Sequence, residues 1–353
     1  MDLVGDMLFD HLRLAGDIDG RRLQPAMRFA GAGLPGRLFG RLVQYPRHVR
    51  RVIGNTDLFH IVDHSYAHLV HELPSGRTVV TCHDLDAFWC LLEPGRERRS
   101  FAFHAVARRV LSGLQAAAHV TCDTYATCNA VVQHELLPPE RLTVVHNGVH
   151  PLLSPDADPA ADNRLSRKLG RQPGRCPELL HVGSTIPRKR IDVLLHVFAG
   201  VLKSRPDARL IRVGPVFTRE QQVLAQRLGV FHRIDFLDRL DTMLLGACYR
   251  RAAALLQPSD AEGFGLPVVE ALACGAPVIA SDIPALREVG GDAALFREVG
   301  DVDGWAAAVS SVLSANQRAR EASRSRAFQQ AARFSWNNYA AQMSKIYRQV
   351  LER

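Results

Sequence analysis

Ala253-Ala-Leu-Leu-Gln-Pro-Ser-Asp-Ala-Glu-Gly-Phe-Gly-Leu-Pro-Val-Val-Glu-Ala-Leu272 reads as a short apolar strand, a glycine-bearing loop and the start of a helix. The strand ends near Gln257. Pro267 opens the helix, where its fixed φ and missing N–H are harmless. Gly263 and Gly265 allow the backbone to approach a ligand closely. The new helix N-terminus offers unpaired N–H groups and a positive dipole end, which suit an anionic phosphate. Glu262 precedes the helix and Glu270 lies in its first turns, so both carboxylates can line one end of a binding site. A carboxylate is a bidentate acceptor suited to a vicinal diol, such as that of a ribose or hexose. Either glutamate alone would serve as well as a loop cap or a complement to the helix dipole; the whole string points to a ligand.

The same alternation extends outward in both directions. Upstream runs are Leu58–Val62, Thr78–Cys82, His119–Cys122 and Leu142–Val145; later ones are Glu178–Val182, Ala208–Val213, Arg233–Phe236 and Pro277–Ala280. Their near-continuous apolarity fits strands covered on both faces. Alternation with helix-length segments predicts parallel, doubly wound sheets in an α/β protein. Between the halves, Pro151 to Pro177 carries clustered Pro, Gly and Asp and reads as a linker or hinge. Tyr339, Met343, Ile346, Tyr347 and Val350 fall at helical spacing in the tail.

Composition narrows the class. The chain has 353 residues, 47% apolar and 23% charged, which is ordinary globular usage and comfortable for two domains. Its seven cysteines form no C-x-x-C pair and no zinc-spaced cluster; they read as small hydrophobes of a reducing cytosol. The opening Met1-Asp-Leu-Val-Gly-Asp6 does not read as a signal peptide. No apolar run approaches the roughly 20 residues that span a bilayer. The expectation is a soluble cytoplasmic protein or one peripheral on the inner face of the plasma membrane. The net charge of +8 includes a dense stretch at Arg37, Arg41, Arg47, Arg50 and Arg51. That stretch fits either an anionic membrane or phosphorylated substrate, or a merely solvated face. No nucleic-acid-binding signature accompanies it.

Two further motifs carry chemistry. His181-Val-Gly-Ser-Thr-Ile-Pro-Arg-Lys-Arg190 ends a strand on Gly183 and Ser184 and brings Arg188 and Lys189 to a helix start, an arrangement able to neutralise a diphosphate. Val79-Val-Thr-Cys-His83-Asp84 puts His83 at a strand's C-terminal end, where α/β sheets hold ligand groups.

Taken together, these motifs resemble the retaining glycosyltransferases of the GT-B fold, family 4 (group 1), over roughly residues 50 to 353 and most closely from 178 to 290. The Glu262–Glu270 string is similar to that family's E-x7-E motif. The resemblance implies that Glu270 holds the nucleotide ribose, that Glu262 contacts donor-sugar hydroxyls, and that Gly263, Phe264, Gly265 and Leu266 contact sugar and phosphate. Gly183, Ser184, Arg188 and Lys189 resemble the phosphate clamp, although many members carry arginine where this chain has Ser184. His83 would contact the donor sugar, and the loop of Leu237, Asp238 and Leu240 the base. Asn147-Gly-Val149 resembles the interdomain turn, and Phe334-Ser-Trp336 the start of the last segment. The implied fold is two Rossmann-like domains facing a cleft: an acceptor-side domain over 1–160, a nucleotide-sugar domain over 161–333, and a helix over 334–353 crossing back. The implied reaction moves a hexosyl group from a UDP- or GDP-linked sugar to a saccharide or lipid-linked acceptor, with retention, no cofactor and no metal. The leaving phosphate itself would help deprotonate the acceptor.

The resemblance fails at the beginning. Family members open on a strand and glycine-rich loop; this chain opens on a helical pattern at Leu3, Met7, Leu8 and Leu12. Gly31-Ala-Gly-Leu-Pro-Gly36 is glycine-rich but comes too late and follows no strand. The first strand of the N-terminal domain therefore reads as missing, which predicts a gap in the middle of its sheet and a true start upstream. It also keeps a second reading open, a non-catalytic sugar-nucleotide-binding or scaffold protein. An epimerase or phosphorylase would need extra acid/base groups or a cofactor lysine that the sequence does not display.

Overall fold

The inner apolar runs form strands because both faces of each are covered. A computed structural model describes residues 2–16, 18–24, 36, 39–93, 95 and 99–353. They fall into two compact units, Met1–Gly148 with Trp336–Arg353, and Val149–Ser335.

In the first unit, β1 (Phe59–Ile61), β2 (Thr78–Cys82), β3 (His119–Cys122) and β4 (Leu142–Val144) pair in sequence order, all parallel. Helices α1 (Asp2–Ala15), α2 (Tyr45–Val52), α3 (Trp89–Leu92), α4 (Phe101–Ala116) and α5 (Tyr125–Gln133) belong to it. Ser100 and Thr124 start α4 and α5 by accepting from the N–H groups of Phe103 and Thr127. A tail helix, Trp336–Leu351, packs its buried stripe of Trp336, Tyr339, Met343, Ile346 and Val350 with Val4 and Leu8 of α1 and with Val79 and Val145. The expected gap in the middle of this sheet is not found. The ladder from β1 to β4 is continuous, and β1 is an edge. A strand of three residues leaves little unpaired backbone at that edge. Of the stretch 31–36, only Gly36 is among the described residues, and Arg37 lies outside them.

In the second unit, β5 (Glu178–Val182), β6 (Arg209–Val213), β7 (Ile234–Leu237), β8 (Ala254–Gln257), β9 (Val278–Ser281) and β10 (Ala294–Arg297) form a parallel sheet in the order β10-β9-β8-β5-β6-β7. Its helices are α6 (Pro159–Leu169), α7 (Ile191–Ser204), α8 (Arg219–Arg227), α9 (Thr242–Arg251), α10 (Leu266–Ala273), α11 (Pro284–Gly290), α12 (Val302–Ser314) and α13 (Gln317–Ala331). One core cluster gathers Leu180, Ile211, Leu255, Val269 and Leu286; a second gathers Leu179, Leu194, Phe198, Leu210 and Trp305. The chain reverses its direction of winding between β5 and β8. In such sheets ligands bind beyond the strand C-termini at that switch point.

Two sequence expectations change here. The stretch from Pro151 to Pro177 is not a bare hinge, since it contains α6 and belongs to the second unit. Asp158 accepts from the N–H groups of Ala160 and Ala161, Pro159 takes the first helical position, and Gly170 ends the helix at φ +63°. Ala161 and Leu165 then join the core. The strand β10 escaped the sequence reading because it is an edge with Leu295 40% exposed, so it lacks the continuous apolar run of the inner strands. Among the described residues, no helix is long and apolar enough to cross a membrane.

Candidate functional site

The loops that follow β5 and β8 flank the switch point, and they are tied together. The backbone N–H of Asp260 donates to the carbonyl of Arg188 at 2.8 Å. Arg190, at φ +46°, reaches Asp192 and Asp260 and closes the turn Pro187–Lys189 before α7 begins. These constraints bring Arg188 and Lys189 onto the loop that carries Glu262.

Glu262 is the hub. Its Oε1 accepts from Lys189 Nζ at 2.6 Å, Gln257 Nε2 at 2.6 Å and Ser259 Oγ at 2.7 Å; its Oε2 accepts from Arg188 Nη1 at 3.2 Å. Arg188 also holds the carbonyl of Ala261 at 2.9 Å. Burial alone would raise the Glu262 pKa, but Lys189 and Arg188 overcome this and hold it below the usual carboxylate range. Lys189 is only 8% exposed. In this arrangement Glu262 is first a counter-charge that orients two cations, with its carboxylate already well supplied with donors.

Glu270 stands apart from that cluster. It lies on α10, 8% exposed, and accepts from the Tyr249 hydroxyl at 2.7 Å. Burial pushes its pKa up to about 7, with the Tyr249 hydrogen bond opposing. Gly265, at φ +98°, caps α10 where a side chain would be strained and would meet Leu286 at 2.6 Å. Gly263 is buried, and Phe264 packs edge-on against Phe334 at 5.6 Å. Leu240 and Leu266 are partly buried against the same core. Gly183 and Ser184 turn their carbonyls toward Arg212, at 2.8 and 3.1 Å from its Nη2. Gly214 is required beside them, since a Cβ there would lie 2.1 Å from the Gly183 oxygen.

His83 belongs to the first unit and is 7% exposed. Its Nδ1 lies 2.6 Å from Asp123 and its Nε2 2.8 Å from the carbonyl of Val62. Burial works against the charged ring, but Asp123 prevails and lifts the pKa to about 9. Both ring nitrogens then donate, so His83 is a cation locked to the protein. Asp123, Tyr249, Gln257, Ser259 and Arg212 were not singled out from the sequence. Arg212 left one legible sign, a charge inside the otherwise apolar run Leu210-Ile-Arg-Val213. Of the arginine-rich stretch, Arg41 is partly buried over the Tyr66 ring at 4.9 Å and Arg50 pairs with Glu72, while Arg47 and Arg51 are exposed.

Comparison with known proteins gives two adjoining family matches. Residues 163–333 match the model of glycosyl transferases group 1, and residues 13–151 that of glycosyltransferase family 4. The chain is 35% identical over 173 residues to the O-antigen chain mannosyltransferase B of Escherichia coli, covering 48% of this chain and 45% of that one. It spans about half the length of the curated relatives it matches. Among solved structures, sucrose-phosphate synthase from Thermosynechococcus elongatus superposes with a TM-score of 0.77 at 20% identity, over 98% of this chain and 92% of that one. Anabaena Alr3699/HepE in complex with UDP-glucose gives 0.72 at 20% identity, over 87% and 83%.

Proposed function

The chain belongs to the family 4, group 1 glycosyltransferases of the GT-B fold, and from that premise we propose that it transfers a hexosyl group from a UDP- or GDP-linked sugar to a saccharide or lipid-linked acceptor, with retention of configuration. The observation that supports this best is the convergence of Arg188, Lys189 and Glu262 at the switch point of the second unit's sheet. Cations fixed in advance stabilise a departing diphosphate without reorganising as charge develops. Glu262 fixes Lys189 and Arg188, and the loop Gly263–Leu266 leads into the N-terminus of α10. Glu270 anchors the nucleotide ribose. In this reading the departing phosphate takes the acceptor proton, and arginine and lysine do what a metal ion would do elsewhere, so a chelator leaves the rate unchanged. Resemblance to a mannosyltransferase and to a protein crystallised with UDP-glucose supports a hexosyl donor. Contact with an anionic membrane would rest on exposed Arg47 and Arg51, since Arg41 is turned inward.

One observation favours a second reading, sugar-nucleotide binding without transfer. The ring nitrogens of His83, the residue expected to touch the donor sugar, are already engaged by Asp123 and Val62. Transfer from radiolabelled UDP- and GDP-sugars to membrane-extracted acceptors, with calorimetric binding alongside, separates the two. Lys189→Ala and Glu262→Gln are expected to lower transfer by about 10²–10³-fold with the fold intact. Rates within a few-fold of the parent in both variants would overturn the site, and binding without turnover would establish the second reading.

A further inference from the structure

Arg212 lies on β6, between β5 and the edge strand β7, with 0% of its surface exposed. Its guanidinium donates to three carbonyls, those of Val213, Gly183 and Ser184. Its Nε has no partner, and among the described residues no carboxylate pairs with it. Two half-buried arginines of this unit are matched by carboxylates: Arg251 and Arg171 by Glu178, and Arg171 again by Asp235. A buried charge without a counter-ion is costly, so its place in a folded protein calls for a reason.

The surroundings supply no anion. His181 is directly opposite Arg212 in register, is wholly buried, and neither of its ring nitrogens has a partner. Burial, with Arg212 and Lys189 adding to it, keeps that ring neutral. Burial also pulls Arg212 down to about 10, which still leaves it charged at neutral pH. The carboxylates on the neighbouring loops are taken up by other cations: Glu262 by Lys189 and Arg188, and Asp192 and Asp260 by Arg190.

We propose that Arg212 is a positioning residue of the donor site: its guanidinium holds the Gly183–Ser184 loop in shape, and its uncompensated charge is balanced when the diphosphate of the donor nucleotide binds over that loop. This rests on the reading of the second unit as a nucleotide-diphosphate site. It adds a residue that acts through the loop and the local field, without direct contact with the sugar. Arg212 supports the geometry of two carbonyls at once, which a planar fork does and a lysine ammonium does less well.

The test uses the full chain and the variants Arg212→Met, Arg212→Gln and Arg212→Lys. Binding is measured for UDP, GDP, UMP, GMP and inorganic pyrophosphate, together with the thermal midpoint without ligand. In Arg212→Met the removal of a buried unpaired charge offsets the loss of its hydrogen bonds to the carbonyls of Val213, Gly183 and Ser184, so the unliganded midpoint is expected to stay close to the parent's. Affinity for UDP or GDP and for pyrophosphate should fall about tenfold or more, while UMP and GMP change little. Arg212→Lys should recover part of the loss. If Arg212→Met does not fold, the contrast between the Lys and Gln variants carries the same test. A lower midpoint with equal losses for mono- and diphosphates would reduce Arg212 to a structural role. Unchanged diphosphate affinity would overturn the proposal and leave the donor reading intact. A parent protein that binds none of the five probes would overturn both.

Discussion

Tyr249 and Glu270 form a buried pair whose proton count depends on pH, and the pair sits where the nucleotide ribose is proposed to bind. Burial raises the folded-state pKa of Glu270 to about 7 from an unfolded value of 4.5. The folded protein therefore holds a proton that the unfolded chain releases between these values. Stability from this group is complete below about pH 4.5 and is lost as pH rises through about 7. Glu270→Gln removes the titration while keeping an acceptor for Tyr249. Without ligand, the variant should be more stable than the parent at pH 8 by on the order of 1–3 kcal/mol, and the difference should vanish near pH 4. Urea unfolding at the two pH values measures this; a difference independent of pH would refute the assignment. Nucleotide affinity should change in the opposite sense, since the amide loses one acceptor for the ribose diol. His83 illustrates the opposite balance at the same scale, with a carboxylate partner outweighing burial.

Among elements of the first unit, α4 packs closely on the 3₁₀ segment His64–Glu72. Gly113 makes it possible. A Cβ there would lie 2.0 Å from the Ala67 oxygen and 2.6 Å from its carbonyl carbon, both backbone atoms that cannot swing aside. Helix propensity alone favours alanine over glycine by about 1 kcal/mol. Overpacking against backbone costs about 1–3 kcal/mol or more and should win. Gly113→Ala is expected to lower the stability of the first unit in denaturant titration; a stabilised variant would mean that the segment yields easily. The loops after β5 and β8 follow a similar logic in the second unit. Gly214 and Gly265 stand where a side chain would strike Gly183 and Leu286, and the site loops keep their shape as a result.

At the level of the whole molecule, the tail helix belongs to the unit built mostly from the first 148 residues. Tyr347 hydrogen-bonds His60 Nδ1 at 2.7 Å, and His60 Nε2 contacts Thr81 Oγ1 at 2.8 Å, so the tail is joined to β1 and β2 by polar links as well as apolar ones. Trp336, Tyr339, Met343, Ile346 and Val350 are buried there. At about 1.5–3 kcal/mol for each large apolar side chain, their loss rivals the stability of a whole domain. A chain ending at Ser335 should therefore lose the first unit to limited proteolysis and yield a resistant fragment near residues 149–335. Equal protease resistance of both units would show that the tail is dispensable.

The sequence by itself determined the inner strands and the strand–loop–helix around Glu262, but neither β10 nor α6. The runs at Glu178–Val182, Ala208–Val213 and Pro277–Ala280 became β5, β6 and β9 because inner parallel strands covered on both faces are mostly apolar, with Glu178, His181 and Arg212 as the exceptions. The strand–loop–helix around Glu262 was legible because proline, glycine and acidic residues act locally on the backbone. Tertiary structure alone decided which partners those side chains have. Glu262 meets Lys189 from 73 residues away, His83 meets Asp123 from 40, and Arg212 meets Gly183 across a strand register. It also decided that β1 lies at an edge, that the Pro151–Pro177 stretch folds into the second unit, and that Arg212 is left without a carboxylate. Charge compensation and burial are properties of contacts between distant segments. Local pattern fixes where a charge sits in the chain, and only the packed sheet fixes what stands opposite it.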